Sequence, residues 1–105
     1  MTWLYYIADF FGGAFLANAV PHFVAGVAGQ SLQTPFATPP FRGLSSPRVN
    51  VAWALANLIL AYLLLVRVAR LDLQNGPATA ACFAGFSLMA FQCARGFSRL
   101  PKQNR

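Results

Sequence analysis

The chain has 105 residues, 57% of them hydrophobic and 10% charged, with a formal net charge of +6. So few charges cannot cover a small soluble domain, which leaves much of its surface in water and ordinarily carries about 25% charged residues. Nucleic-acid binding is excluded as well, because the Arg and Lys residues flank apolar runs instead of forming a solvated basic face.

Three stretches contain no Asp, Glu, Lys or Arg: Phe10 to Phe41, Val49 to Val66 and Leu73 to Ala94. The first apolar segment runs over about 4–28, long enough to cross a hydrocarbon core of about 30 Å with some tilt. Trp3, Tyr5 and Tyr6 stand at its start, as aromatic residues do at the headgroup level. Asp9 lies within a turn of that belt and is expected to reach water. Pro21 lacks an N–H and crowds the carbonyl of Ala17, so a kink is predicted there. With no basic residue ahead of the apolar run and no evident cleavage site, Met1 is expected to begin the mature chain.

Residues 30–48 carry Pro35, Pro39, Pro40 and Pro47, which exclude a regular helix. Phe36 and Phe41 within them suit a loop at the membrane interface or against a partner. The second segment, 49–68, is closed by Arg67 and Arg70, whose long side chains snorkel to the headgroups. Asn75-Gly76-Pro77 makes a turn, and the third segment, 78–96, is less apolar. A basic tail over 95–105 holds Arg95, Arg99, Lys102 and Arg105. The predicted fold is all-α: a single membrane domain over 1–105, a transmembrane bundle of three helices with a Pro-rich interfacial loop between the first two. The excess of Arg and Lys in that loop and the tail places both on the cytoplasmic side, and the N-terminus outside.

Polar residues inside a bilayer are functional candidates. Asn18, His22, Asn57, Ser87 and Gln92 are those present, and Asn18, Asn57 and Ser87 fall at one depth. Asn18 and His22, four apart, share a helix face. Asn50, Trp53, Asn57 and Ala61 form a stripe on the second helix. A polar packing cluster of Asn18, His22, Asn57 and Ser87 is the simplest reading; a site for a polar ligand is the alternative. Proton-coupled transport ordinarily needs an intramembrane carboxylate, and none is expected. His22 also qualifies as an axial ligand for a haem or chlorophyll-type metal, but it is the sole histidine and follows Pro21. No cofactor site of its own and no metal site is therefore assigned. Cys82 and Cys93 are eleven residues apart on one helix, about 16 Å, and cannot pair with each other.

Enzyme signals are absent: no paired carboxylates, no metal-ligand spacing, no phosphate loop, hence no catalytic residue. Gly13/Ala17, Ala25/Gly29, Ala52/Ala56 and Ala81/Gly85 fit the small-xxx-small pattern of close helix packing, within the bundle or against a partner.

The order His22-x-x-x-Gly26-x-x-Gly29, Thr34-Pro35-Phe36-Ala37, Pro39-Pro40, Gly43-Leu44-Ser45-Ser46-Pro47 and Asn50-Val51-x-Trp53-x-x-x-Asn57 resembles a family of small bacterial multi-pass membrane proteins. Nearly half the chain is covered, the third helix and tail being undistinctive. Within that family the chain is similar to accessory polypeptides of purple-bacterial photosynthetic core complexes. The resemblance implies residence in the bacterial inner (intracytoplasmic) membrane, with light-harvesting 1 antenna subunits and a reaction centre as partners. The implied role is to interrupt the antenna ring so that quinone and quinol exchange. Bacteriochlorophyll, carotenoid and quinone would belong to the neighbouring subunits. Antenna helices show Ala-x-x-x-His where this chain shows Asn18-x-x-x-His22, which argues against pigment binding. In this reading Thr34, Pro35, Phe36, Phe41, Arg42 and Arg48 form the docking loop. Two other classes stay open: a small homo-oligomeric transporter or lipid-handling protein, and a membrane redox protein using His22.

Overall fold

A computed structural model describes residues 3–99; Lys102 and Arg105 of the basic tail lie outside them. Three helices are long and apolar enough to cross a membrane. These are α1 (Trp3–Val27), α2 (Pro47–Tyr62, continued as a π-helical stretch over Leu63–Val68) and α3 (Gly76–Phe97). Among the described residues there is no strand, only an isolated antiparallel bridge between Gln33 and Leu44. The long dimension of 47 Å is enough for a bilayer with its headgroup layers.

Both α2 and α3 begin two residues earlier than predicted, and for the same reason. Pro47 and Pro77 sit in the first helical turn, where a missing N–H has no partner to lose. Ser46 Oγ accepts from the Val49 N–H at 3.2 Å, and Asn75 Oδ1 from the Ala78 N–H at 3.1 Å, which caps the two starts. α1 runs unbroken through Pro21. At the far end of α2 the ladder widens: the Ala69 N–H reaches the Leu64 carbonyl and the Leu71 N–H the Leu65 carbonyl. Arg70 closes that end with φ 51, a left-handed position more often filled by Gly.

The helices run up, down and up, and α1 is the middle one. α2 and α3 each pack along α1, and among the described residues their backbones do not meet each other. The sequence explains why α1 takes the centre. Its buried positions are Ala8, Asp9, Gly12, Gly13, Ala14, Ala17, Ala19, His22, Ala25 and Gly26, small residues on more than one face. Small residues let backbones approach closely where lipid supplies no hydrophobic drive for association.

On the α3 side the approach is reciprocal. A methyl on Gly13 would strike the carbonyl of Cys82, and one on Gly85 the carbonyl of Phe10. On the α2 side a Gly26 methyl would lie 2.8 Å from the Pro47 carbonyl. Of the small-residue pairs, Gly13/Ala17 and Ala81/Gly85 therefore flank a seam. Ala52 is exposed, and Gly29 lies beyond the end of α1 at φ 76, so the other two pairs do not form one. Along α2 the buried stripe is Asn50, Ala54, Asn57 and Ala61, with Trp53 at its edge.

Candidate functional site

The loop 28–46 is closed by its own hydrogen bonds. The Ser45 N–H donates to the Leu32 carbonyl, and the N–H groups of Ala37 and Phe41 both donate to the Thr34 carbonyl. Thr34 Oγ1 accepts from the Phe36 N–H at 3.1 Å and shares a hydrogen bond with Ser45 Oγ. Thr34 is 1% exposed, so it is an internal tie and not a docking residue. Phe36, Phe41, Arg42 and Arg48 are exposed and Pro35 half-buried. Phe36 lies edge-on against Trp53, with ring centroids 5.4 Å apart.

Phe41 has φ 62, a strained conformation for a bulky side chain that costs on the order of 1–3 kcal/mol. Its N–H bond to Thr34 and the turn of Arg42 and Gly43 onto the Pro39 carbonyl hold it there.

Asn50 fastens this loop to α1. Its Nδ2 lies 3.0 Å from the Ser45 carbonyl, 3.1 Å from that of Ser46 and 3.3 Å from that of Leu32. Three acceptors around one atom identify it as the amide nitrogen, so Oδ1 must be the atom facing His22 Nδ1 at 2.7 Å. A carbonyl oxygen only accepts, hence Nδ1 of His22 donates. A neutral imidazole then keeps its second nitrogen, Nε2, as a bare lone pair, and among the described residues nothing donates to it. The rings of His22 and Phe97 stand nearly perpendicular, with centroids 5.4 Å apart.

A second chain of bonds lies one turn deeper. Asn57 Nδ2 donates to the Trp53 carbonyl at 2.8 Å, which leaves its Oδ1 to accept from Asn18 Nδ2 at 3.0 Å. Asn18 Oδ1 in turn accepts from Cys93 Sγ at 3.4 Å. All three helices are thereby joined at one level, with bonds worth about 0.6–2 kcal/mol each in a membrane. Ser87 is not part of it: among the described residues it makes no bond to this chain, and Cys93 supplies the α3 contact. His22 does not join this chain either, because its partner is Asn50, which the sequence reading placed on the stripe of the second helix with Trp53, Asn57 and Ala61 but not in the polar cluster.

Between these two sets of bonds lies a cavity of about 150 Å³ that opens beside the loop. Asn18, His22, Phe41, Trp53, Gln92 and Phe97 are among the residues that line it, and none of the described lining residues is charged.

At the opposite end of the bundle Asp9 is 1% exposed, and neither carboxyl oxygen has a hydrogen-bond partner among the described residues. The expectation that Asp9 reaches water is overturned. Asp9 is one turn before Gly13, on the face that α3 covers. Cys82 and Cys93 are free thiols, and no group of three or more potential metal-ligating side chains occurs among the described residues. Comparison with protein-family models, curated proteins and solved structures finds no match to this chain.

Proposed function

We propose that the chain is an accessory structural subunit of a bacterial membrane bioenergetic complex, without catalytic activity or cofactor of its own. Its resemblance is to protein W, a polypeptide that interrupts the light-harvesting 1 ring around a purple-bacterial reaction centre so that quinone and quinol pass. The observation that supports this reading is the outer face of α3. That helix buries only Ala78 and Gly85 against the rest of the chain, while Phe83, Leu88 and Phe91 are 70%, 61% and 77% exposed. A membrane helix so little used internally is suited to packing on neighbouring helices.

The action in this reading is steric. One non-antenna bundle occupies a position in the ring, and the Phe36/Phe41/Arg42/Arg48 loop docks on the cytoplasmic side with the N-terminus outside, as the charge asymmetry favours. Purification in mild detergent is expected to bring antenna subunits and reaction centre along with the chain. Deleting its gene is expected to close the ring and slow quinone turnover. Unchanged ring closure and turnover in the deletion strain would eliminate the proposal.

A further inference from the structure

We infer that the cavity beside His22 is a binding site for a neutral hydroxylated aromatic ring, of phenol or hydroquinone type, whose hydroxyl donates to Nε2 of His22. Asn50 fixes the imidazole so that an acceptor remains facing away from the loop. His22 lines the cavity, and Nε2 has no donor among the described residues, so a ligand that brings an O–H or N–H satisfies it. Because none of the described lining residues carries a formal charge, the ligand is neutral.

The walls select a flat, apolar body. Trp53, Phe41 and Phe97 line the cavity, and Phe41 has a backbone conformation that other residues of the loop hold in place. The volume of about 150 Å³ is that of a pocket taking a single benzene-sized ring, and far below what a tetrapyrrole needs. Asn18 supplies the second polar contact. Its Oδ1 and one N–H are engaged with Cys93 and Asn57, and its other N–H has no partner among the described residues. A ring with an oxygen on its far side, as a hydroquinone has, meets that donor or the Gln92 amide.

The inference stands on the cavity and the imidazole and is independent of the role proposed above. Two sources offer this chemistry: a small phenol from the aqueous phase, and the headgroup of a lipid-soluble quinol.

The chain has one histidine, so nitrogen-labelled histidine gives a single imidazole signature by NMR. In lipid nanodiscs the isolated protein is expected to show the Nδ1–H tautomer, with Nε2 unprotonated. Hydroquinone should shift the Nε2 resonance saturably and leave Nδ1 in place, whereas benzene should not. A decyl-tailed hydroquinone that saturates at lower concentration identifies the membrane source, and the reverse order the aqueous one. Gly96→Leu grows into the cavity from a lining position where an added Cβ has nothing within 4 Å, and is expected to weaken binding at least about tenfold while the apo imidazole signature is retained. An Nε2–H tautomer, or an Nε2 resonance that neither probe moves, would overturn the inference and leave a cavity that holds only water. Neither result bears on whether antenna subunits co-purify, so the two proposals fail separately.

Discussion

The seam between α1 and α3 and the seam between α1 and α2 are held in different ways. Toward α3, α1 offers Gly13 and Ala17 and receives Gly85, and at the two glycines backbone meets backbone. Toward α2 it offers Asn18, His22 and Gly26, and the contact is made through asparagine amides. Neither seam gains from the hydrophobic effect, since lipid tails are as apolar as leucine. The first relies on close approach, which any added atom spoils, and the second on directional bonds, which any lost atom spoils. The two are therefore vulnerable to opposite kinds of change.

The largest effect is expected on the α3 side. Gly85→Val places three carbons where the Phe10 carbonyl stands and should destabilise the bundle by about 3 kcal/mol. Detergent-titrated unfolding in mixed micelles measures this, and an unchanged midpoint would mean that the helices are not in backbone contact. Next comes Asn50→Ala, which leaves Nδ1 of His22 and the Ser45 carbonyl unpaired, at about 2 kcal/mol. Its signature differs: loop 28–46 becomes susceptible to protease while the α1–α3 seam persists. Equal loss of both seams would dissolve the distinction between them.

Asp9→Leu should act in the other direction. Burying a carboxyl without a partner is unfavourable, so its removal raises the unfolding midpoint by the equivalent of about 1 kcal/mol. A drop in stability would instead reveal a partner for this group. Smallest is Gly96→Ala, within α3 and free of clashes, worth about 0.5 kcal/mol of added stability through helix propensity alone.

The three spans were legible because Pro, Gly and Arg punctuate long apolar runs, and their bounds moved by at most two residues. Those shifts came from reading Pro47 and Pro77 as turn residues when each sits inside a helix start. The pairing of Asn18 with Asn57 follows from counting depth along two antiparallel helices. Ser87 passed the same depth test and failed on azimuth, since it lies about 200° around the helix from Gly85, the residue that faces α1. Asp9 was misjudged in a readable way: a residue four before Gly13 shares its face, and the aromatic belt drew attention from that. The bond from Asn50 to His22 was not readable. It depends on how the loop 28–46 folds back, and Thr34, Ser45 and Phe41 fix that path through side-chain bonds and a left-handed turn with no periodic signature.

The separation of α2 from α3 has a consequence for how the chain is made. Among the described residues the backbone of α2 packs on α1 and not on α3. Its polar ties run to α1 and to the loop that joins them, so a helical hairpin of residues 3–72 can form without α3. α3 then arrives as a late addition along the other side of α1, seated by glycine contacts and the single Cys93 thiol. Such a chain can pass through a two-helix stage that holds the α1–α2 ties while one flank of α1 still waits for its cover.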